Sequence, residues 1–204
     1  MKKHLKFLVL APCLFAVLCE EDDLVCGYSE PETYTLNIEN NTEVYPADET
    51  IWLNAETSAL LFDICDEDEE LEAVDNPEQF ASGMFILKLN SELGDLNAEI
   101  AQDYSVSYTL GEGFNIVSCL EAITVIPVLS ADNQTYNYRL GLSVSTPGDY
   151  CIVNTFNNNF NIEGTNNSDI FGPYNTLDNR IRFQNCEDIF TRTGTEGHFF
   201  FSVE

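Results

Sequence analysis

From residue 34 onward the chain repeatedly alternates apolar and polar side chains, the signature of strands with one face in a core and one in water. Tyr34, Leu36 and Ile38 alternate with Thr35 and Asn37, and after a turn at Pro46-Ala47-Asp48-Glu49 a short strand from Thr50 to Asn54 surrounds Trp52. Tyr104, Val106, Tyr108 and Leu110 alternate with Ser105, Ser107 and Thr109 as far as Gly111-Glu112-Gly113. Ile123–Leu129 and Thr135–Ser145 enclose the loop Ala131-Asp132-Asn133-Gln134 and predict a hairpin. In its second arm Tyr136, Tyr138, Leu140, Leu142 and Val144 hold one face without a break. Pro127 takes a backbone donor out of the first arm, which predicts a sheet edge or a bulge there.

Other segments depart from strict alternation. Met84–Leu89 is apolar except for Lys88, as in a strand buried on both faces. Ser58–Ile64 is apolar without a period and leaves strand and helix open. Leu93, Leu96 and Ile100 have helical spacing, but Gly94 argues against a helix. Residues 154–179 form a long polar insertion, with seven asparagines between Asn154 and Asn167. Loops of this length are usually functional or mobile. Ile181 and Phe183 make a short strand flanked by Arg180 and Arg182. Phe199, Phe201 and Val203 close the chain in alternation with Phe200 and Ser202. The pattern predicts an all-β fold, a single antiparallel sandwich of about 8–10 strands with a long loop insertion near the C-terminus.

Pro147-Gly148-Asp149-Tyr150, a turn entering the strand Tyr150–Val153, resembles the E–F corner of immunoglobulin-like sandwiches. The resemblance implies that the Tyr150 hydroxyl bonds back to the backbone a few residues upstream. In antibody domains the core cysteine lies two residues after this tyrosine, and here that position is Ile152. Cys151 is adjacent to Tyr150 and therefore points to the opposite face. No core-spanning disulfide of antibody type is expected.

The beginning of the chain has a different character. Lys2-Lys3-His4-Leu5-Lys6 leads into an apolar run ending at Leu18, followed by Cys19-Glu20-Glu21-Asp22-Asp23. A positive end and a short apolar run form a secretory signal peptide, too short to span a bilayer comfortably. Phe15-Ala16-Val17-Leu18-Cys19 resembles a bacterial lipobox, although Leu18 replaces the small residue usual before the cysteine. Glu20, Glu21, Asp22 and Asp23 resemble the surface-export signal of Bacteroidota lipoproteins. The resemblance implies acylation of Cys19, whose two-signal anchoring is stable, and an outer-membrane, cell-surface location. Without processing the protein would be secreted or periplasmic. The expected organisation is a signal peptide over residues 1–18, a lipidated acidic tether over 19–32 and a β-sandwich over 33–204.

Charge narrows the partners. Once Lys2, Lys3 and Lys6 leave with the leader, five basic residues face 35 acidic ones, a formal charge of −30. Such a field repels nucleic acid and anionic headgroups. The membrane is therefore a partner only through the lipid anchor, and a protein or glycan ligand remains. Disorder does not follow from the acidity, because 44% of the chain is hydrophobic and patterned.

Candidate chemistry is sparse. His198 is the only histidine after the leader, no CxxC spacing occurs, and nucleophile-elbow and phosphate-loop patterns are absent. No catalytic residue or cofactor is assigned, with calcium the one candidate ligand. The acidic stretch from Asp63 to Glu78 places Asp66, Asp68 and Glu70 at alternate positions that could share a side, as oxygen ligands do. A solvated loop is the simpler reading. Of Cys26, Cys65, Cys119, Cys151 and Cys186, a Cys151–Cys186 disulfide would pin the insertion onto the sandwich. Trp52 and Tyr104, Tyr108, Tyr136 and Tyr138 are read as core, and His198 as a surface residue. The function expected is a non-enzymatic envelope lipoprotein serving adhesion, ligand capture or a surface complex. A carbohydrate-binding or carbohydrate-active protein is the alternative, as is a simply secreted sandwich.

Overall fold

The computed structural model describes Ser29 and residues 35–62, 71–114, 122–154, 161–163, 167–193 and 197–204. The leader, Cys19, Glu20, Glu21, Asp22 and Asp23, the tether apart from Ser29, the calcium candidates Asp66, Asp68 and Glu70, and Cys26, Cys65 and Cys119 lie outside these residues.

Alternation becomes strands in the order β1 (Thr35–Ile38), β2 (Val44–Tyr45), β3 (Ile51–Ser58), β4 (Leu60–Phe62), β5 (Leu71–Ala73) and β6 (Ser82–Leu89). There follow β7 (Ala98–Ile100), β8 (Tyr104–Leu110), β9 (Glu112–Phe114), β10 (Ile123–Ile126), β11 (Val128–Leu129) and β12 (Thr135–Val144). The last are β13 (Gly148–Asn154), β14 (Asn161–Glu163), β15 (Arg180–Asn185), β16 (Asp188–Thr193) and β17 (His198–Val203). The only helical pieces among the described residues are 3-10 segments at Pro77–Phe80 and Ser168–Tyr174.

The first sheet is built on β12. It pairs antiparallel with β3 from Thr135↔Ser58 to Leu142↔Ile51. On its other edge β12 carries β8 and the short β11. Beyond β3 lie β1 and then β14, the latter parallel to β1. The second sheet runs β2-β17-β13-β6, with β10 and β7 sharing the far edge of β6 and β9 beyond β10. The order β1-β3-β12-β8 facing β17-β13-β6 reproduces the ABED and CFG sheets of an immunoglobulin-like sandwich. Tyr150 occupies the E–F corner between β12 and β13, and its hydroxyl donates to the Thr146 carbonyl at 2.7 Å. This frame has seven strands against the 8–10 expected; the short edge strands β2, β7, β9, β10, β11 and β14 and the separate hairpins β4–β5 and β15–β16 bring the described strands to 17.

Inward side chains from the two sheets form the main core. It contains Leu36, Ile51, Leu53, Tyr138, Leu140 and Leu142 from the first sheet and Met84, Ile86, Tyr150, Ile152, Phe199 and Phe201 from the second. Full burial of each large apolar side chain is worth about 1.5–3 kcal/mol. Tyr104 and Tyr108 pack against this core while half exposed.

The second sheet is buried on its outer face as well. Phe85, Leu87, Cys151, Val153 and Phe200 pack there against Phe171 of the second 3-10 segment and Ile181 and Phe183 of β15. The Phe171 and Phe200 rings stack with centroids 5.3 Å apart. This is why Met84–Leu89 reads as continuously apolar: its strand has no solvent face. While β14 joins the edge of the first sheet, the insertion from Asn167 onward, together with β15, is a cover layer and not a free loop. Two buried asparagines fasten it. Asn97 donates through its Nδ2 to the carbonyls of Tyr174 and Arg180, at 3.0 and 2.8 Å, and accepts from the Arg182 amide at 2.8 Å. Asn167 donates to the carbonyls of Thr42 and Phe200, each at 3.1 Å.

The cover layer also corrects two expectations. His198 shares the covered face with Phe200 and is 4% exposed, so it is not a surface residue. Cys151 and Cys186 are both free thiols, not a disulfide. Cys151 lies beneath the cover, whereas Cys186 sits exposed in the turn joining β15 to β16, with φ of 60°. The base of that hairpin, not its tip, meets the Cys151 cluster. Residues 91–102 form turns and β7 instead of a helix, with Gly94 at a φ of +69°. Ser58–Ile64 resolves towards the strand β4, at least as far as Phe62.

Candidate functional site

Two chain crossings between the sheets make the most distinctive local geometry. At Gly111 the chain leaves β8 in the first sheet and enters β9 in the second; at Pro127 it leaves β10 in the second and enters β11 in the first. Each crossing has a residue suited to it. Gly111 has a φ of +83°, and a Cβ there would stand 2.8 Å from the Ile126 carbonyl oxygen and 3.1 Å from the Tyr138 Cβ. Only glycine fits both the backbone and the space. Pro127 lacks an amide proton and so interrupts the ladder. The expected hairpin therefore holds only at its tip, Val128↔Asn137 and Leu129↔Tyr136, while Ile123–Ile126 pairs with the other sheet.

Beside these crossings lies a cleft of about 330 Å³. Pro77, Ile126, Pro127 and Leu129 supply apolar lining, Val128 adds an aliphatic side chain 46% exposed, and Asp75 and Glu112 supply carboxylates. Tyr136 forms part of the wall and organises it. Its ring stacks on Phe80 at 4.1 Å, and its hydroxyl donates to the Val74 carbonyl at 2.9 Å. The residue preceding Asp75 is thereby held in place. Burial, and secondarily the Asp75 charge, raises the Tyr136 phenol above its ordinary pKa. The hydroxyl therefore remains a proton donor throughout the physiological range. Both Asp75 and Glu112 are exposed to water. Among the described residues no basic side chain lines the cleft.

The outward face of the first sheet is the other candidate. Ile51 and Leu53 take the core positions of β3, so Trp52 faces outward and is half-buried, not the core residue expected from sequence. The Arg139 guanidinium stands 3.9 Å from the Trp52 ring centroid. Glu39 binds that guanidinium with both oxygens, at 2.6 and 2.7 Å, and Thr109 Oγ1 accepts a further bond at 3.1 Å. Glu39 is held below the usual carboxylate range by this hydrogen bonding to Arg139, with their charge attraction adding to it. Gly141, directly across from Trp52 on β12, makes room for the indole; a Cβ would lie 3.0 Å from Trp52 Cζ3. With the guanidinium against its face, the indole acts first as a clamp across β1, β3, β12 and β8. Ser105 and Ser143 continue the polar face with a 2.8 Å hydroxyl contact.

Of the tyrosines read as core, Tyr136 and Tyr138 are each 1% exposed. Glu112 and Asp75 are not paired by any sequence spacing; only the two crossings bring them to one cleft. Glycine on both sides of Glu112 and proline at 127 were the available signals, and they mark the turn without naming its neighbour. Among the described residues no group of three or more His, Cys, Asp or Glu could hold a metal ion, and no helix is long and apolar enough to cross a membrane. Comparison with known proteins finds no matching family model, curated protein or solved structure.

Proposed function

We propose that the protein is a non-enzymatic cell-envelope lipoprotein that captures a ligand in the cleft between the Gly111 and Pro127 crossings. The cleft is the observation that carries this reading. It is of the size at which ligand pockets begin, about 300 Å³, and it combines an apolar lining with two carboxylates. The opposite, covered sheet offers no comparable free face among the described residues, since its outer side is occupied by the insertion. The leader and Cys19 supply the anchor, and Glu20, Glu21, Asp22 and Asp23 the surface-export signal. The tether then holds a domain of high negative charge away from an anionic surface.

Native mass spectrometry of the protein extracted from its membrane in mild detergent tests both halves. The reading requires acylated Cys19 as the first residue and a bound small-molecule adduct that Val128→Trp removes. An unmodified Cys19 contradicts the anchor, and an adduct untouched by Val128→Trp contradicts the cleft.

Carbohydrate binding is the second reading, and the half-exposed indole of Trp52 among Ser105, Ser143 and Thr109 favours it. Because Trp52 is the only tryptophan, a saturating change in intrinsic fluorescence on adding an oligosaccharide supports this reading. An unchanged spectrum across neutral and acidic glycans rejects it.

A further inference from the structure

We infer that the cleft selects a primary alkylammonium group, with its alkyl chain over Pro77, Ile126, Pro127 and Leu129 and its charge between Asp75 and Glu112. The inference rests on the ligand-capture reading above and specifies its chemistry. The lining has two parts, and each excludes a class of ligand. Two carboxylates, with no basic residue among the described lining, repel carboxylates and phosphates. The aliphatic and proline surfaces favour hydrocarbon over a polyhydroxylated ring, because among the described residues the one aromatic ring in the wall, that of Tyr136, is 1% exposed and offers no stacking face.

An ammonium on a short chain satisfies both parts. Burying each CH2 contributes about 0.8 kcal/mol, and the cleft of about 330 Å³ has space for a chain of that kind. The charge gains from two carboxylates that are both exposed to water and face the same cleft. A formal charge of −27 over the whole chain concentrates cations near the surface and speeds their arrival. It also supplies the competing explanation, diffuse attraction to a polyanion, which the test must separate from a site. The same chemistry is presented by a free alkylamine and by a lysine side chain of a protein partner.

The test is isothermal titration of the full-length protein at neutral pH and about 0.1 M salt, where surface charges are screened beyond about 10 Å. The probes are n-hexylamine, 1-hexanol, hexanoate and a blocked Gly-Lys-Gly tripeptide. The expected result is saturable one-to-one binding of hexylamine, with 1-hexanol about tenfold weaker or more, equivalent to roughly 1.4 kcal/mol, and no heat from hexanoate. Asp75→Asn and Glu112→Gln are exposed changes that keep the fold, and each should weaken hexylamine several-fold. Val128→Arg, which places a cation at the rim, should abolish binding. Tripeptide affinity within about threefold of hexylamine identifies a lysine side chain as the source, and exclusion of the tripeptide identifies a free amine. Equal binding of hexylamine and 1-hexanol, or many weak sites unaffected by Asp75→Asn and Glu112→Gln, overturns the inference. Failure of hexylamine while Val128→Trp still displaces a native adduct rejects the ammonium chemistry and leaves ligand capture standing.

Discussion

The hydroxyl of Tyr150 and the carbonyl of Thr146 are joined by a 2.7 Å hydrogen bond across the turn that carries the chain from one sheet to the other. The Tyr150 ring meanwhile stacks on Phe201 in the core, with centroids 5.5 Å apart. A single side chain thus ties the turn to the interior. Tyr150→Phe keeps the ring and removes the bond, leaving a carbonyl short of a partner. Urea unfolding should show a loss of about 1–2 kcal/mol with an unchanged m-value. No loss would mean that the turn is held by Pro147 and Gly148 alone.

Asn97 carries a larger structural role than its position in a turn suggests. Its side chain makes three hydrogen bonds to the backbone of the cover layer while fully buried. Asn97→Ala strands two carbonyls and an amide, and should cost about 3 kcal/mol in total. Hydrogen exchange distinguishes local from global loosening. Amides of β15 and β16 should exchange faster, with those of β12 unchanged if the sandwich stays closed.

The Glu39–Arg139 pair should be visible in the pH dependence of stability. Glu39 has a folded pKa below its ordinary value, chiefly through hydrogen bonding to Arg139. A depressed carboxylate contributes stability that is fully present above its unfolded pKa and is lost as pH falls through its folded pKa. The difference in stability between wild type and Glu39→Gln should therefore shrink from about pH 5 downward. The pair is exposed, so the effect is small. Arg139→Ala should return the Glu39 titration midpoint, read by carbon-detected NMR, towards its ordinary value. The Trp52 emission should change as well, since the guanidinium leaves the indole.

The two described cysteines should react very differently. Burial raises the Cys151 thiol well above its ordinary pKa and removes it from solvent, whereas Cys186 is exposed. Thiolate fraction and access set the rate of alkylation. A maleimide should label Cys186 under native conditions and Cys151 only on unfolding. Peptide mapping that recovered a Cys151–Cys186 bridge would contradict the cover-layer arrangement.

The frame of the fold is legible in the sequence because period-two alternation reports one thing well, a strand with one wet face. The single-faced strands β8 and β12 and the first half of β3 follow from it, while the tyrosine corner at Tyr150 follows from its Pro-Gly turn. The cover layer is not legible, because its contacts are tertiary: Phe171, Ile181 and Phe183 sit in a polar segment and bury only once the second sheet lies beneath them. The same cause misplaced His198. The side that Trp52 faces is hidden from the pattern for a different reason. Alternation states that Trp52 opposes Ile51 and Leu53 but not which set faces the core, and aromatic bulk favoured the wrong side. The cleft was half legible: Gly111, Glu112 and Pro127 each mark a break, and Asp75 lies in the acidic stretch. Their meeting depends on two sheet crossings that no local pattern encodes.

The most direct test of the account is an amide NMR titration of the full-length protein with n-hexylamine. Saturable shifts confined to Gly111, Glu112, Val128, Leu129 and Asp75 are expected, with the Trp52 indole signal unmoved. Shifts centred on Trp52, or spread in proportion over the exposed acids of the whole surface, would contradict it.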